Sequence, residues 1–543
     1  MKRLILAFTI LTTVALSAQT VDVAPVNTAS AYVRSLVVND AGAYRADLQN
    51  FYGPAAYAPV WTRDGHPTPQ AMFVISQFEN AAAKGLVPSD YGVGGWNLRL
   101  TSMHTDADRA VFDVALSSTL FHYLSDLSIG RVHPQHVNFD LDIDAKKPYL
   151  PAVAAQLVDA TDPATILSSV EPQHDDYRNL LVALAKYRRI AADSSSDLPL
   201  PVVTKLSPKD TYAALPQLAT ILRRNGDLGS DVVVEGNVYD GATVDAVKKF
   251  QDRHGLDADG VISKKTFAQL NTPASYRVQQ IEWALERWRW SPSQIEAPAI
   301  VVNIPEFRLR ARNENNEELS MRVVVGKAAG HKTPVFGGDI KHVVFRPYWS
   351  VPPAIQKGEI VPKVEHDASY LARNNYELVD GSGRSVGSTV DADTLRRLRN
   401  GSLTVRQKPG TSNALGLVKF LFPNDNNVYL HSTPQQSLFA RSRRDFSHGC
   451  VRVEDPVALA EWALRSKPEW TKEKIESAIN GKKDDVYVKV DRPIAVMILY
   501  TTAVAAGNGE VRFYEDVYGY DTLLANALTP ATKAAPAMLV AAK

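Results

Sequence analysis

Through the first third of the chain, apolar residues recur every three to four positions, the period of a helix with one buried face. Between Gln70 and Lys84 that stripe is Met72, Ile75, Phe78 and Ala82, and Gly85 closes it. A second stripe runs from Ala110 to Ser125 through Phe112, Leu116, Leu120 and Leu124, ended by the turn Gly130 to Pro134. Residues 28–200 are therefore expected to form a helical region, with Ser194 to Ser196 as a linker. A smaller helical unit is expected over 207–272, with Val244, Val247 and Phe250 on one face and a last short helix at Thr266 to Leu270. A connecting helix follows in 275–296, anchored by Trp283, Trp288 and Trp290.

From Ala297 the period shortens to that of strands. β-Branched runs at Ile300 to Ile304, Arg308 to Arg310, Met321 to Val325 and Val343 to Phe345 predict a β-rich domain over 297–525. The stretch 354–412 breaks this pattern, is richer in charge and has helical spacing at Ala392 to Arg399. It is expected to be an inserted helical segment, and returns at Arg406 to Gly410. Strands resume at Val418 to Phe422 and Val428 to Leu430, and Ile494 to Ala506 is expected to be one buried strand. Asp455 and Pro456 predict a capped helix reaching Leu464, and the Ala-rich 528–543 is expected to be disordered. The fold class is α+β.

The start of the chain changes the picture. A basic Met1-Lys2-Arg3, an apolar Leu4 to Leu16 and small residues at Ser17-Ala18 have the layout of a secretory signal peptide over 1–18. An uncleaved anchor is the lesser alternative; the absence of a cysteine there excludes a lipoprotein. Charge is nearly balanced, with Lys+Arg 60 against Asp+Glu 59, so no nucleic-acid partner is indicated. Export also brings the single cysteine into focus, because unpaired thiols are a liability in oxidising compartments.

Cys450 lies in the run Phe446-Ser447-His448-Gly449-Cys450-Val451-Arg452-Val453. A buried free cysteine can be no more than a small hydrophobe. Here an imidazole and a guanidinium flank it, and nearby cations lower a thiol's pKa, favouring a nucleophile. A cysteine nucleophile needs a base, and two histidines qualify. His431 ends a predicted strand nineteen residues upstream. His448 is nearer in sequence, but two-apart side chains in a tight turn usually diverge, so His431 is the preferred base. Nothing pairs with Cys450 at a structural zinc spacing, and no metal or other cofactor is expected.

Two stretches carry a resemblance. Ala246-Val247-Lys248-Lys249-Phe250-Gln251, continuing through His254-Gly255-Leu256 to Asp259-Gly260, resembles the bacterial peptidoglycan-binding module, with Ser263 where that family usually has glycine. His431 to Pro434 followed by Ser447-His448-Gly449-Cys450-Val451-Arg452 resembles the L,D-transpeptidase catalytic domain. Thr333 to Phe336, Pro347 to Pro352 and Arg406 to Gly410 are similar to the large multidomain Gram-negative branch, which joins a helical scaffold, a wall-binding module and a catalytic domain with an inserted lid.

The resemblance implies that Cys450 accepts an acyl group from a peptidoglycan tetrapeptide stem and that His431 moves the proton. It implies that Ser447, His448 and Gly449 shape the turn, and that Arg452 holds it or meets a substrate carboxylate. Tyr348, Trp349 and Tyr429 are candidate substrate contacts. The family often has aspartate after the first histidine; Ser432 stands there, leaving the group that orients His431 open. Peptidoglycan is the expected partner, with a peptidoglycan synthase as a further candidate, and the periplasm, in association with the wall, the expected location. The implied product is a 3→3 cross-link. Hydrolysis by an L,D-carboxypeptidase and exchange with a free D-amino acid share the same thioester and stay open. A non-catalytic wall-binding scaffold and a cysteine peptidase of another family are the remaining alternatives.

Overall fold

The computed structural model describes residues 28–40, 42–194, 198–314 and 316–529. The predicted signal peptide, the centre of the Ser194–Ser196 linker and nearly all of the predicted tail lie outside these residues.

The N-terminal region is helical: α1 (Thr28–Asn39), α2 (Arg45–Tyr52), α3 (Pro69–Glu79), α4 (Trp96–Thr101), α5 (Asp106–Ile129), α6 (Leu150–Val158), α7 (Pro163–Val170) and α8 (Asp175–Asp193). A two-residue hairpin, β1 (Thr62–Arg63) with β2 (His66–Pro67), interrupts it. The long α5 starts at a reciprocal cap, in which Thr105 Oγ1 accepts from the Asp108 N–H and Asp108 accepts from the Thr105 N–H. Its buried Asp113 and Ser117 receive Tyr52 Oη at 2.7 Å and Trp61 Nε1 at 2.8 Å, so its polar core groups are satisfied. The stripe predicted from Gln70 to Lys84 is shorter than expected. α3 stops at Glu79, a tighter turn carries the chain to Gly85, and Met72 faces solvent.

Three short helices, α9 (Leu215–Asn225), α10 (Gly241–Arg253) and α11 (Lys264–Leu270), form the next unit around Leu218, Val247, Phe250 and Phe267. Buried Gln251 explains the Phe-Gln pair of the sequence. Its amide accepts from the Gly260 N–H at 2.8 Å and donates to the Val261 carbonyl at 2.9 Å, pinning the turn between the last two helices. Ser263 caps α11 through the Thr266 N–H, a use for the residue that departs from the usual glycine. α12 (Ala274–Trp290) is more than a connector: Trp290 and Arg289 are fully buried, and α12 packs on α8 and in the same apolar core as the large sheet.

The C-terminal domain is β-rich. Its strands are β3 (Ala299–Asn303), β4 (Arg308–Asn313), β5 (Asn316–Gly326), β6 (Phe336–Phe345), β7 (Trp349–Ser350), β8 (Tyr376–Val379), β9 (Ser385–Gly387), β10 (Thr404–Gln407), β11 (Val418–Leu421), β12 (Leu430–His431), β13 (Asp445–Ser447), β14 (Val451–Val453), β15 (Val486–Leu499), β16 (Ala503–Ala505) and β17 (Val511–Phe513). Nine of them form one sheet in the order β13-β5-β14-β12-β11-β6-β15-β3-β4, and pairing of β4 with β5 closes it on itself. Closure removes the exposed edges that a long apolar sheet would otherwise present. Helices α13 (Pro456–Ala463) and α14 (Lys472–Asn480) lie between β14 and β15, α15 (Tyr520–Leu528) follows β17, and Asp455 caps α13 as its sequence implies.

Three expectations differ from what is observed. The inserted segment is not purely helical. Beside its helices it carries a four-stranded sheet, β7-β10-β8-β9, over a core of its own containing Ile360, Leu371, Leu378, Leu398 and Val405. These strands are two to four residues long, too short to show a period. Arg406-Gln407 thus belongs to the insertion's sheet rather than to the chain's return. Finally, Ile494 to Ala506 is not one strand: the run ends β15 at Leu499 and resumes as the separate β16.

Candidate active site

Two short strands of the sheet bring the sequence candidates together. β12 and β14 pair in parallel, with Leu430 opposite Val451 and His431 opposite Arg452. The Val451 N–H donates to the Tyr429 carbonyl at 3.1 Å, which sets Cys450 at the head of β14, beside the start of β12. On the other side of β12, Lys419 of β11 pairs with His431. A strand expected from Val428 is therefore only Leu430–His431, just long enough to hold the histidine.

The turn before Cys450 is closed by its own residues. Ser447 Oγ donates to the Cys450 carbonyl at 2.6 Å and accepts from the Gly449 N–H at 3.1 Å. Gly449 has φ +121°, a region that side chains other than glycine's rarely enter. Its carbonyl accepts from buried Thr333 Oγ1 at 2.7 Å, and Tyr518 Oη in turn accepts from the Thr333 N–H at 3.1 Å. Sequence reasoning does not single out Thr333 or Tyr518 as site residues. The Thr333-Pro334 stretch carries a resemblance without a role, and nothing local marks Tyr518.

His431 is buried, and its Nδ1 lies 2.6 Å from the Ser432 carbonyl oxygen. A carbonyl can only accept, so Nδ1 carries the proton and Nε2 keeps its lone pair. Burial, helped by the charge of Arg452, lowers the pKa to about 3, and the ring is neutral near pH 7. The orienting group left open by the sequence is thus a backbone carbonyl. The Ser432 side chain braces the neighbouring loop instead. Its hydroxyl accepts from the Leu417 and Val418 N–H groups at 2.6 and 3.1 Å and donates to the Leu415 carbonyl.

Cys450 is half-buried, and its Sγ has the Asn427 carbonyl as hydrogen-bond partner at 3.7 Å. Its thiol pKa is raised, contrary to the expectation from its cationic neighbours. Burial is the largest influence, and the opposing pulls of the Tyr429 backbone, Lys419 and Arg452 do not outweigh it. Lys419 is itself lowered by burial, with its ammonium 3.8 Å from the centre of the Tyr429 ring.

The remaining candidates spread out. His448 Nε2 lies 2.6 Å from Oε1 of Glu359 in the insertion, and its ring meets His331 edge-on at 4.6 Å. Arg452 donates to Gln435 Oε1 at 2.6 Å, while its buried Nε has no hydrogen-bond partner among the described residues. Tyr429 sits directly beside the thiol, its hydroxyl raised to about 12 by burial and by Cys450. Tyr348 lies under the Arg406 guanidinium at 4.3 Å, and Trp349 packs against the core of the insertion. Among the described residues no cluster of three or more His, Cys, Asp or Glu is placed to hold a metal ion.

Comparison with known proteins agrees with this architecture. Residues 297–488 match the L,D-transpeptidase catalytic domain, residues 212–270 a family described as "Putative peptidoglycan binding domain", and residues 46–184 a scaffold domain. A protein of Haemophilus influenzae named "Putative L,D-transpeptidase" is 33% identical over 224 residues, covering 41% of this chain and 44% of that protein. The match thus spans less than half of the relative's length. Crystal structures of L,D-transpeptidases from Xylanimonas cellulosilytica and Stackebrandtia nassauensis align at 15% identity each. They cover 55% and 56% of this chain and 99% and 97% of theirs, at TM-scores of 0.19 and 0.23, too low for any argument to rest on them. Residues 297–488 thus form an L,D-transpeptidase catalytic domain. In this chain that domain is joined to a peptidoglycan-binding domain and a scaffold domain.

Proposed function

We propose that the protein is an exported enzyme that forms 3→3 peptidoglycan cross-links through a thioester on Cys450. The observation that carries this reading is the parallel pairing of β12 with β14, which brings a neutral, tautomer-fixed His431 to the strand adjoining Cys450. A neutral imidazole with an unprotonated Nε2 is suited to receive a thiol proton. The resting pair is thiol and imidazole, because burial disfavours both charged forms.

In the proposed reaction the Cys450 sulfur attacks the carbonyl carbon of the third stem residue as His431 takes the thiol proton. The C–N bond to the terminal D-alanine breaks, and His431 returns that proton to the leaving amine. The side-chain amine of a second stem then attacks the thioester, releasing the thiol and forming the amide. Backbone N–H groups near Cys450 would serve the oxyanion. A lid that excludes water favours an amine over water as acceptor, and the insertion, tied to the turn through Glu359, is the candidate for that role. Periplasmic location rests on the layout of residues 1–18.

The test is incubation of the purified chain with disaccharide-tetrapeptide, with products read by mass spectrometry. The expected product is a dimer that has lost one D-alanine. Tripeptide alone would make the enzyme a carboxypeptidase, and inactivity together with no carbapenem adduct on Cys450 would remove the acyl-enzyme reading altogether.

A further inference from the structure

Lys419 carries a charge into the site that no carboxylate among the described residues pairs with. Strand register places it there. Lys419 of β11 stands opposite His431 of β12, and His431 stands opposite Arg452 of β14. Opposed residues of adjacent strands share a face, as do residues two apart along one strand. Their immediate neighbours Phe420, Leu430 and Val451 are fully buried in the core, which leaves Lys419, His431 and Arg452 in a row on the other face. Tyr429 and Cys450 precede His431 and Arg452 by two residues and join that face. The thiol's charge accordingly acts on both Lys419 and Tyr429.

The row is cationic on both sides of the imidazole. Arg452 gives a donor to the neutral Gln435 amide. Lys419 is half-buried and forms no hydrogen bond or ion pair among the described residues; its ammonium rests 3.8 Å from the centre of the Tyr429 ring. Asp485 acts on it without forming an ion pair. Burying an ammonium is costly, and an aromatic face replaces only part of the hydration that is lost. Packing alone would be served at lower cost by an apolar side chain of similar length. The retained charge points to an anion that arrives with the substrate.

The strand order β14-β12-β11 sets out thiol, imidazole and ammonium in sequence, across two strand spacings or about 10 Å. A stem positioned for attack has the same order. Its acyl carbon goes to the sulfur, and the next atom is the amide nitrogen that His431 must protonate. The leaving residue then ends in a carboxylate three bonds from the acyl carbon. We propose that Lys419 binds this terminal carboxylate, and so selects donors in which a single residue with a free C-terminus follows the scissile bond. The assignment rests on the reading of Cys450 and His431 as nucleophile and base. A pair formed there would be partly desolvated, and therefore stronger than one on the open surface. It would also align the leaving nitrogen with Nε2 of His431, the ring nitrogen not bonded to the Ser432 carbonyl.

The experiment follows acylation of the full chain by intact mass with two donors, disaccharide-tetrapeptide and the same molecule with its terminal carboxylate amidated. The parent chain should prefer the free acid roughly tenfold or more, and Lys419→Met should bring that ratio close to one. Lys419→Arg keeps the charge and should restore most of the preference. Taking the ratio cancels any effect of the lysine on thiol reactivity, which both donors share. A parent chain indifferent to amidation would overturn the proposal. So would a loss in Lys419→Met that falls equally on both donors, because it would place the lysine's effect on the thiol. Lys419→Gln, checked by thermal melting, replaces the methionine variant if that does not fold. Failure of both donors to acylate the parent chain would refute the transpeptidase reading itself, while acylation without discrimination would refute only the role of Lys419.

Discussion

The imidazole Nε2 of His448 lies 2.6 Å from the Glu359 carboxylate, joining the inserted segment to the turn that presents Cys450. The pair is half-exposed, and ion pairs of that kind contribute about 1 kcal/mol or less. Glu359→Gln should therefore leave the melting temperature almost unchanged. It should nonetheless loosen the insertion, seen as faster amide exchange over residues 353–366, and slow acylation several-fold. Unaltered exchange would show that the contact does not hold the segment.

Replacing the two histidines should separate their roles. His431→Ala removes the group with an unprotonated Nε2 and should cost about 100-fold or more in acylation, the usual scale for a lost acid–base group. His448→Ala removes a ring engaged by Glu359 and His331 and should cost distinctly less. Acylation by a tetrapeptide donor, followed by intact mass, measures both. Equal or reversed losses would reassign the base.

His431 also makes a prediction about pH and stability. Its pKa is about 3 in the folded chain, against about 6.5 for an unfolded imidazole. Above pH 6.5 neither state is protonated and nothing is lost. As pH falls below 6.5 only the unfolded chain takes up the proton, so stability falls by at most about 1.4 kcal/mol per unit until the folded pKa is reached. His431→Gln should flatten the decline between pH 6 and pH 4.5 relative to the parent chain in urea melts. Parallel declines would mean the ring is accessible to protons.

For the thiol the direction is opposite. Burial raises the Cys450 pKa above its ordinary value, so alkylation by iodoacetamide should keep climbing through pH 9 without a plateau near neutrality. Lys419→Met removes one of the charges that oppose this and should shift the profile further toward alkaline pH. A plateau below pH 7 would indicate a preformed thiolate.

Gly416 tests the support beneath His431. It has φ +62°, and a Cβ there would lie 2.1 Å from Ser432 Oγ and 2.8 Å from the Thr433 nitrogen. Gly416→Ala should therefore displace the loop whose N–H groups Ser432 satisfies, costing about 2 kcal/mol or more, with a matching loss of acylation. A stable, fully active variant would show that this loop does not position the histidine.

Much of the site was legible in the sequence because its chemistry is local. Ser447, His448, Gly449 and Cys450 form one turn whose bonds run between neighbours. The helical stripe around Phe112 and Leu120 and the β-branched runs of the large sheet likewise state their own periods. The insertion's sheet was hidden because strands such as Ser385–Gly387 show no period and gain stability only from their partners. Glu359, Thr333, Lys419 and Tyr518 were hidden for a related reason. Each reaches the site across a long stretch of chain, and no residue adjacent to it in sequence marks the contact.

The sequence alone determined the α+β order of the parts and pointed to the proposed nucleophile and base, since composition, period and short motifs are properties of adjacent residues. Tertiary structure decided which carbonyl fixes the His431 tautomer and that burial outweighs cationic neighbours at Cys450. Those outcomes depend on desolvation and on distances between residues far apart in the chain, and both arise only when the chain is packed.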